Sequence, residues 1–332
     1  MSSTVDAAPA ATHDAGRGER FARLAQRNGA LIVLVLVCVV GAVSFESFAT
    51  GENLRNIAVQ NAFLALVACG MTLVILTGGI DLSVGSVLAL GGVLGAIGSE
   101  AGLIGAIGLP LVVCGAIGLL QGLLVGKLGL APFIVTLAGL LGVRGLVLTL
   151  TDEGADTPTI ERGSPFRSLG QDELLGLQLP VWIALVVFAV AGVVLLRTRF
   201  GQSLFAVGGS ESASQLMGLN VTRTKVLVYV ISAVLAGLAG ALLAARSSSG
   251  VPTVGMGLEL DAIAAVVIGG TLLAGGAGSL TGTLAGVLLL GVIQNLINQV
   301  GDLNSSYQSV VSGAFLAVVV VVQTYLSRKQ RL

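Results

Sequence analysis

Charge is missing from long stretches of this chain, and no other feature narrows its possible folds as much. Only 10% of the 332 residues are Asp, Glu, Lys or Arg, while 55% are apolar. A soluble domain carries about 25% charged residues. A chain this poor in charge, with apolar runs near the roughly 20 residues that span a bilayer, is built for lipid. The same apolarity excludes a disordered chain. The 17 basic and 17 acidic residues cancel, so there is no basic field for nucleic acid. The runs are continuous rather than alternating, which selects helices over a β-barrel.

The 48 glycines fit a tightly packed helical bundle. Small residues let helices in lipid approach closely, and glycine marks breaks in them. Cys38, Cys69 and Cys114 lie in apolar runs and read as small buried hydrophobes rather than a disulfide framework. The single histidine, His13, sits in a polar tail, which removes His-based metal sites and Ser-His-Asp catalysis. The nearest approach to a P-loop, Gly122 to Leu128, lacks the loop length and the hydroxyl after Lys127. The chain is therefore expected to carry no catalytic group, no metal and no ATP site of that kind.

Residues 1–29 form a polar and then basic tail, read as cytoplasmic. Spans are predicted at 30–46, 57–77, 83–99, 101–125, 131–150, 180–196, 226–245, 261–274, 280–299 and 307–327. The fold class is thus an all-α integral membrane protein, a polytopic bundle of about ten transmembrane segments within residues 30–327. The short runs 83–99 and 261–274 are candidates for broken or re-entrant segments. Lys and Arg concentrate in the tail, in loop 197–225 and in the C-terminus 328–332, while loop 151–179 is acidic. The positive-inside rule then puts both termini and loop 197–225 in the cytoplasm and loop 151–179 outside.

A weak internal repeat joins two breaks. Gly78, Gly79, Gly85 and Ser86 are matched by Gly275, Gly276, Gly282 and Thr283, each set between two apolar runs. Repeats of this kind build the central sites of many transporters. Asp81 lies in the first break. An acid at membrane depth is expensive and so a functional candidate, although it could instead cap the helix that follows. Arg144, inside span 131–150, could pair with such an acid, line a pathway or reach the interface. Asn61, Thr136 and Asn295, with Gln60, Thr72, Gln294 and Asn298, could meet a neutral polar solute or join helices. In loop 197–225, Ser210 and Glu211 can start a short helix and Gly218 can end it. Ala213, Leu216 and Met217 give that helix an apolar face, which suggests either a docking surface for a soluble partner or a helix lying on the membrane.

Several collinear runs resemble ribose-type, simple-sugar ABC transporter permeases. They are Gly70 to Ser86; Pro132 to Leu137 with Arg144 and Gly145; Ala206 to Gly209 with 210–219 and Asn220; Tyr229 to Gly240; and, most closely, Pro252 to Thr271 with Ala274, Gly275, Gly276, Gly282 and Thr283. The resemblance covers roughly residues 45–327. It implies the permease subunit of a binding-protein-dependent importer in the bacterial cytoplasmic membrane. Expected partners are a second copy or close paralogue, a cytoplasmic ABC ATPase (often a tandem fused chain) holding the ATP and Mg, and an external or periplasmic sugar-binding protein. It implies ATPase coupling at Glu211, Ser212, Ala213, Leu216, Met217 and Gly218; in such a permease the candidates for a pathway or gate are Asp81, Ser83, Asn61, Phe133, Thr136 and Asn295. Related permeases for a nucleoside, a furanose signal or a branched-chain amino acid are the alternative. A membrane enzyme and a stand-alone secondary transporter fit less well, since the chain lacks clustered acids and a row of ionisable groups.

Overall fold

The computed structural model describes residues 17–300, together with Val310, Gly313 and Ala314. The span expected at 307–327, the C-terminus 328–332 and residues 1–16 of the tail otherwise lie outside the described residues. The elements are α1 (Arg17–Ser44), α2 (Gly51–Leu76), α3 (Val84–Gly98), α4 (Gly102–Gly126), α5 (Pro132–Leu150), α6 (Pro165–Gln171), α7 (Leu179–Arg197), α8 (Arg199–Gly209), α9 (Glu211–Leu216), α10 (Val221–Ser247), α11 (Leu258–Ile268) and α12 (Leu280–Val300). A two-stranded antiparallel hairpin, β1 (Glu173–Leu174) and β2 (Leu177–Gln178), sits in the 151–179 segment. Among the described residues, six helical stretches are long and apolar enough to cross a membrane, which makes this a polytopic helical membrane protein.

One of those stretches, Val84–Gly126, has 43 residues. A straight helix of that length would run roughly 65 Å, about twice the hydrocarbon core of a bilayer. It is in fact folded back on itself. Gly102 has φ +77, which only glycine takes up freely, and the backbones of Gly98 and Gly105 touch across the turn. α3 and α4 are therefore an antiparallel hairpin.

α2 and α10 form the centre. α2 is buried along almost its whole apolar length, and α10 packs on α2, α3 and α4. No aqueous driving force holds helices together in lipid, so close backbone contact must do so. Glycines supply it: a side chain at Gly91 would strike the backbone of Gly237, and side chains at Gly118 and Gly122 would strike α10 at Tyr229 and Val226. Outward faces of α1, α4, α5 and α7 expose Val40, Val112, Leu141 and Val190, a lipid-facing coat.

The bundle has two distinct ends. At one, the 151–179 segment pairs with the chain after α10, where Gly250 N–H donates to Pro158 O at 2.8 Å and Ile160 N–H to Ser248 O at 3.0 Å. At the other lie α8, α9 and the turns 77–83, 127–131 and 269–279. Several boundaries differ from the sequence expectation: α2 starts at Gly51 rather than 57, and α10 runs from Val221 to Ser247 rather than over 226–245. α1 starts at Arg17, within the expected tail, so residues 17–29 and the first span are one helix. The run 261–274 is helical only to Ile268, because the following stretch holds Gly269, Gly270, Gly275 and Gly276, three of them with positive φ. At 11 residues α11 is about 16 Å long, too short to cross alone.

Candidate functional site

The first break runs from Thr77 to Ser83, and Asp81 is its polar centre. Asp81 is 0% exposed. Its Oδ1 accepts from the backbone N–H of Ser83 at 3.0 Å and from Ser83 Oγ at 2.6 Å. Its Oδ2 accepts from Ser232 Oγ of α10 at 2.9 Å. Gln121 Nε2 of α4 donates to Ser83 Oγ at 2.9 Å, so one polar chain links the break to α4 and α10. Thr136 Oγ1 of α5 lies 3.2 Å from Ile80 O and 2.9 Å from Pro132 O. Buried charge is tolerated where such hydrogen bonds replace water. Asp81 holds an N–H at the start of α3, as a capping acid would, but from two residues before the N-cap position, which is Ser83.

Arg144 does not pair with Asp81. Its guanidinium donates to Pro252 O at 2.8 Å and Val254 O at 3.1 Å, close to Glu259, and so ties α5 to the loop before α11. Ser232 and Gln121 drew no notice in the sequence, since a lone hydroxyl or amide in an apolar run does not reveal what it faces. Tyr229 also borders the site. It is 1% exposed, and among the described residues its hydroxyl has no hydrogen-bond partner. The hydroxyl sits where any side chain on Gly79 would be, 2.6 Å from that Cβ position, and within electrostatic reach of Asp81. A buried hydroxyl without a partner costs about 1–3 kcal/mol.

The two glycine breaks meet in space. Gly276 N–H donates to Leu76 O at 3.0 Å, and a Cβ on Gly275 would fall 2.7 Å from Gly78 N. The end of α8 presses into the same junction, where a side chain on Gly208 would collide with Leu76 O and Gly276 N. Gly282 abuts the backbone of Gly269 within the second break, and Gly85 lies against Gly255 and Glu259 near α11. The paired motif is legible in the sequence, but the contact between its copies and the closing of α8 on both are not.

From that junction the chain passes directly into α9. Ser210 caps α9 by accepting from Ala213 N–H at 3.3 Å, and Gly218 closes it at φ +79. Leu216 is 91% exposed and Met217 80%. Glu211, Ser212 and Ala213 are exposed too, and only Ser214 is buried. Glu211 pairs with Lys225 of α10 at 2.7 Å, fixing the angle of the arm.

The remaining candidates lie elsewhere. Asn295 and Asn53 exchange amide hydrogen bonds of 2.7 and 3.0 Å, joining α12 to α2. Thr72 and Thr283 meet at 2.8 Å between the same two helices. Asn61 donates to Ile57 O at 2.7 Å and edges an apolar cavity of 160 Å³ between α2, α7 and α12, together with Phe188 and Leu284. Phe133 is 54% exposed on the outward face of α5. None of these joins the Asp81 chain.

Comparison with known proteins places this arrangement among transport permeases. The family model described as branched-chain amino acid transport system / permease component matches residues 53–320. The chain is similar to the ribose import permease protein RbsC of Escherichia coli (strain K12), 43% identical over 311 residues, which are 92% of this chain and 96% of that protein. It is 42% identical over 312 residues to RbsC of Bacillus subtilis (strain 168), covering 93% and 95%. It is 36% identical over 313 residues to the L-arabinose transport system permease protein AraH of Escherichia coli (strain K12), covering 94% of each. No solved structure matches the chain.

Proposed function

We infer function from kinship: the chain belongs to the branched-chain amino acid transport system / permease component family, and it is the inner-membrane permease subunit of an ABC importer for a simple sugar. The observation that carries this is the similarity to ribose and arabinose permeases over more than nine-tenths of both lengths. ATP chemistry then belongs to a partner ATPase, with its ATP and Mg, and delivery of the sugar belongs to an external binding protein.

The end bearing α8, α9 and both breaks faces the cytoplasm, and the acidic 151–179 segment faces outside. The basic residues Arg197, Arg199, Arg223 and Lys225 support this sidedness. With the expected span at 307–327 it gives about ten membrane segments, with α3 and α11 as short members and both termini inside. Two copies enclose the pathway. An ATPase grips the exposed face of Leu216 and Met217, and its closure pushes α8 against the glycine junction. Because Gly208, Gly275 and Gly78 are packed backbone to backbone, the push reaches the Asp81 break without intervening side chains to absorb it. Transport proceeds by alternating access, since the breaks are the points where the helices can shift as separate bodies.

The test is uptake into proteoliposomes holding the permease with its ATPase and binding protein. Labelled ribose and arabinose are offered with ATP inside or outside the vesicle. Uptake that needs ATP on the α9 side and the binding protein on the other supports the assignment. Uptake driven by an ion gradient without ATP overturns it.

A further inference from the structure

We propose that Tyr229 is the second seat of a two-position latch: the Asp81 carboxylate rests on Ser232 in the arrangement seen here and on Tyr229 in the opposite state of the transport cycle. This rests on the importer function above.

Tyr229 and Ser232 are three residues apart on α10 and so lie on one face, one above the other. Asp81 Oδ2 is held by the upper of the two hydroxyls, Ser232, at 2.9 Å. The lower hydroxyl, on Tyr229, is buried and unpartnered while lying beside Gly79, two residues from Asp81 in the same break. In this arrangement a phenylalanine would serve better, because the phenolic oxygen is desolvated and gains nothing. The hydroxyl becomes useful only if an acceptor comes to it, and the acceptor within electrostatic reach is Asp81.

The surroundings allow that exchange. Gly79 has no side chain to block the ring, and a side chain there would collide with the Tyr229 hydroxyl. The break hangs on the Gly78–Gly275–Gly208 junction, so a push through α8 bears on the segment that carries Asp81. A slide of the break along α10 of about one helical turn, roughly 5 Å, would release Ser232 and bring Oδ2 to the phenol. Tyr229 then donates its proton into a hydrogen bond with the carboxylate, and no covalent change occurs. Each state keeps the carboxylate satisfied, so the exchange passes between two seats and avoids an unpaired buried charge.

The experiment compares Tyr229→Phe and Ser232→Ala, each with and without Asp81→Asn, in the reconstituted transporter. Thermal unfolding of the purified permease is measured alongside ATP-driven ribose uptake. Tyr229→Phe is expected to unfold at or above the wild-type temperature yet to lower uptake by roughly 10- to 100-fold, the worth of one charge-assisted hydrogen bond. In the Asp81→Asn background the same substitution is expected to add less than about twofold, because its partner charge is already gone. Ser232→Ala is expected to lower the unfolding temperature, since it removes the seat occupied here. Wild-type uptake from Tyr229→Phe, or an equal loss in both backgrounds, overturns the latch; so does a Tyr229→Phe protein less stable than wild type. If Tyr229→Phe does not accumulate, the phenol is needed in the resting fold and the latch is likewise overturned. A wild-type transporter that moves no sugar with ATP overturns the importer assignment instead, and the unfolding temperatures still decide the latch.

Discussion

Asp81 survives at membrane depth because every hydrogen bond it accepts comes from this chain. Ser83 supplies two donors to one oxygen and Ser232 one donor to the other. Size and acceptor number therefore matter more in the resting fold than charge alone. Asp81→Asn keeps one carbonyl oxygen for Ser83, and its amide can donate to the Ser232 hydroxyl. Asp81→Ala leaves the Ser83 N–H and the Ser232 hydroxyl without that acceptor, and Ser83 Oγ with only Gln121 Oε1 at 3.3 Å. The alanine variant is expected to lose about 2–5 kcal/mol of stability and the asparagine variant much less, measured by thermal unfolding in detergent. Equal losses would mean that the negative charge itself holds the break. From the sequence, Asp81 stood out because it is an acid between apolar runs. Its partners were hidden because Ser232, Gln121 and Tyr229 are common residues in helices, and their value comes from a facing residue more than 30 positions away.

At the level of elements, most helices were legible because lipid imposes one rule, a long run of apolar residues ended by polar or glycine-rich turns. The expected spans 83–99, 101–125, 131–150 and 180–196 differ from α3, α4, α5 and α7 by at most a residue at each end. The rule fails where the chain obeys a different one. The run 261–274 is apolar apart from Asp261 and Thr271, but its glycines favour turns, and hydropathy does not register backbone freedom. α9 was legible for a third reason, since its Ser210 cap and Gly218 stop are local. Its six residues bury only Ser214, and Leu216 and the C-cap Met217 stand in the open. Nothing in the fold of the permease depends on that apolar face, so Leu216→Arg is expected to leave the unfolding temperature of the permease unchanged. It is expected to abolish co-purification of the ATPase and ATP-driven uptake together, because one charge in a desolvated contact defeats docking. Intact co-purification with this variant would move the coupling surface elsewhere.

Over the whole molecule, the separation of functions by end is what turns helices into a transporter. The glycine junction, the Asp81 chain and α9 occupy one end, while the 151–179 segment and its pairing with Ser248 and Gly250 occupy the other. Arg144 and the loop before α11 lie between them, with Gly255 against Gly85 at the start of α3. In the proposed mechanism a push from a soluble ATPase then acts on the breaks without disturbing the surface that receives the sugar. The assignment of these ends to cytoplasm and exterior makes the turns alternate. Glu100, between α3 and α4, should be outside; Leu128, between α4 and α5, inside; Glu173 outside; and Met217 inside. All four are exposed side chains, so single cysteines at these positions can react. The native thiols offer little background, with Cys69 and Cys114 buried and Cys38 half-buried, and all three can be replaced by alanine. A membrane-impermeant maleimide added to intact cells is expected to label the cysteines at 100 and 173. Those at 128 and 217 should react only after permeabilisation. Protection of position 100 while 128 and 173 behave as expected would mean that α3 and α4 are not two crossings. A reversed pattern throughout would put α9 outside, where no ATPase could reach it, and the drive through the glycine junction would have no source.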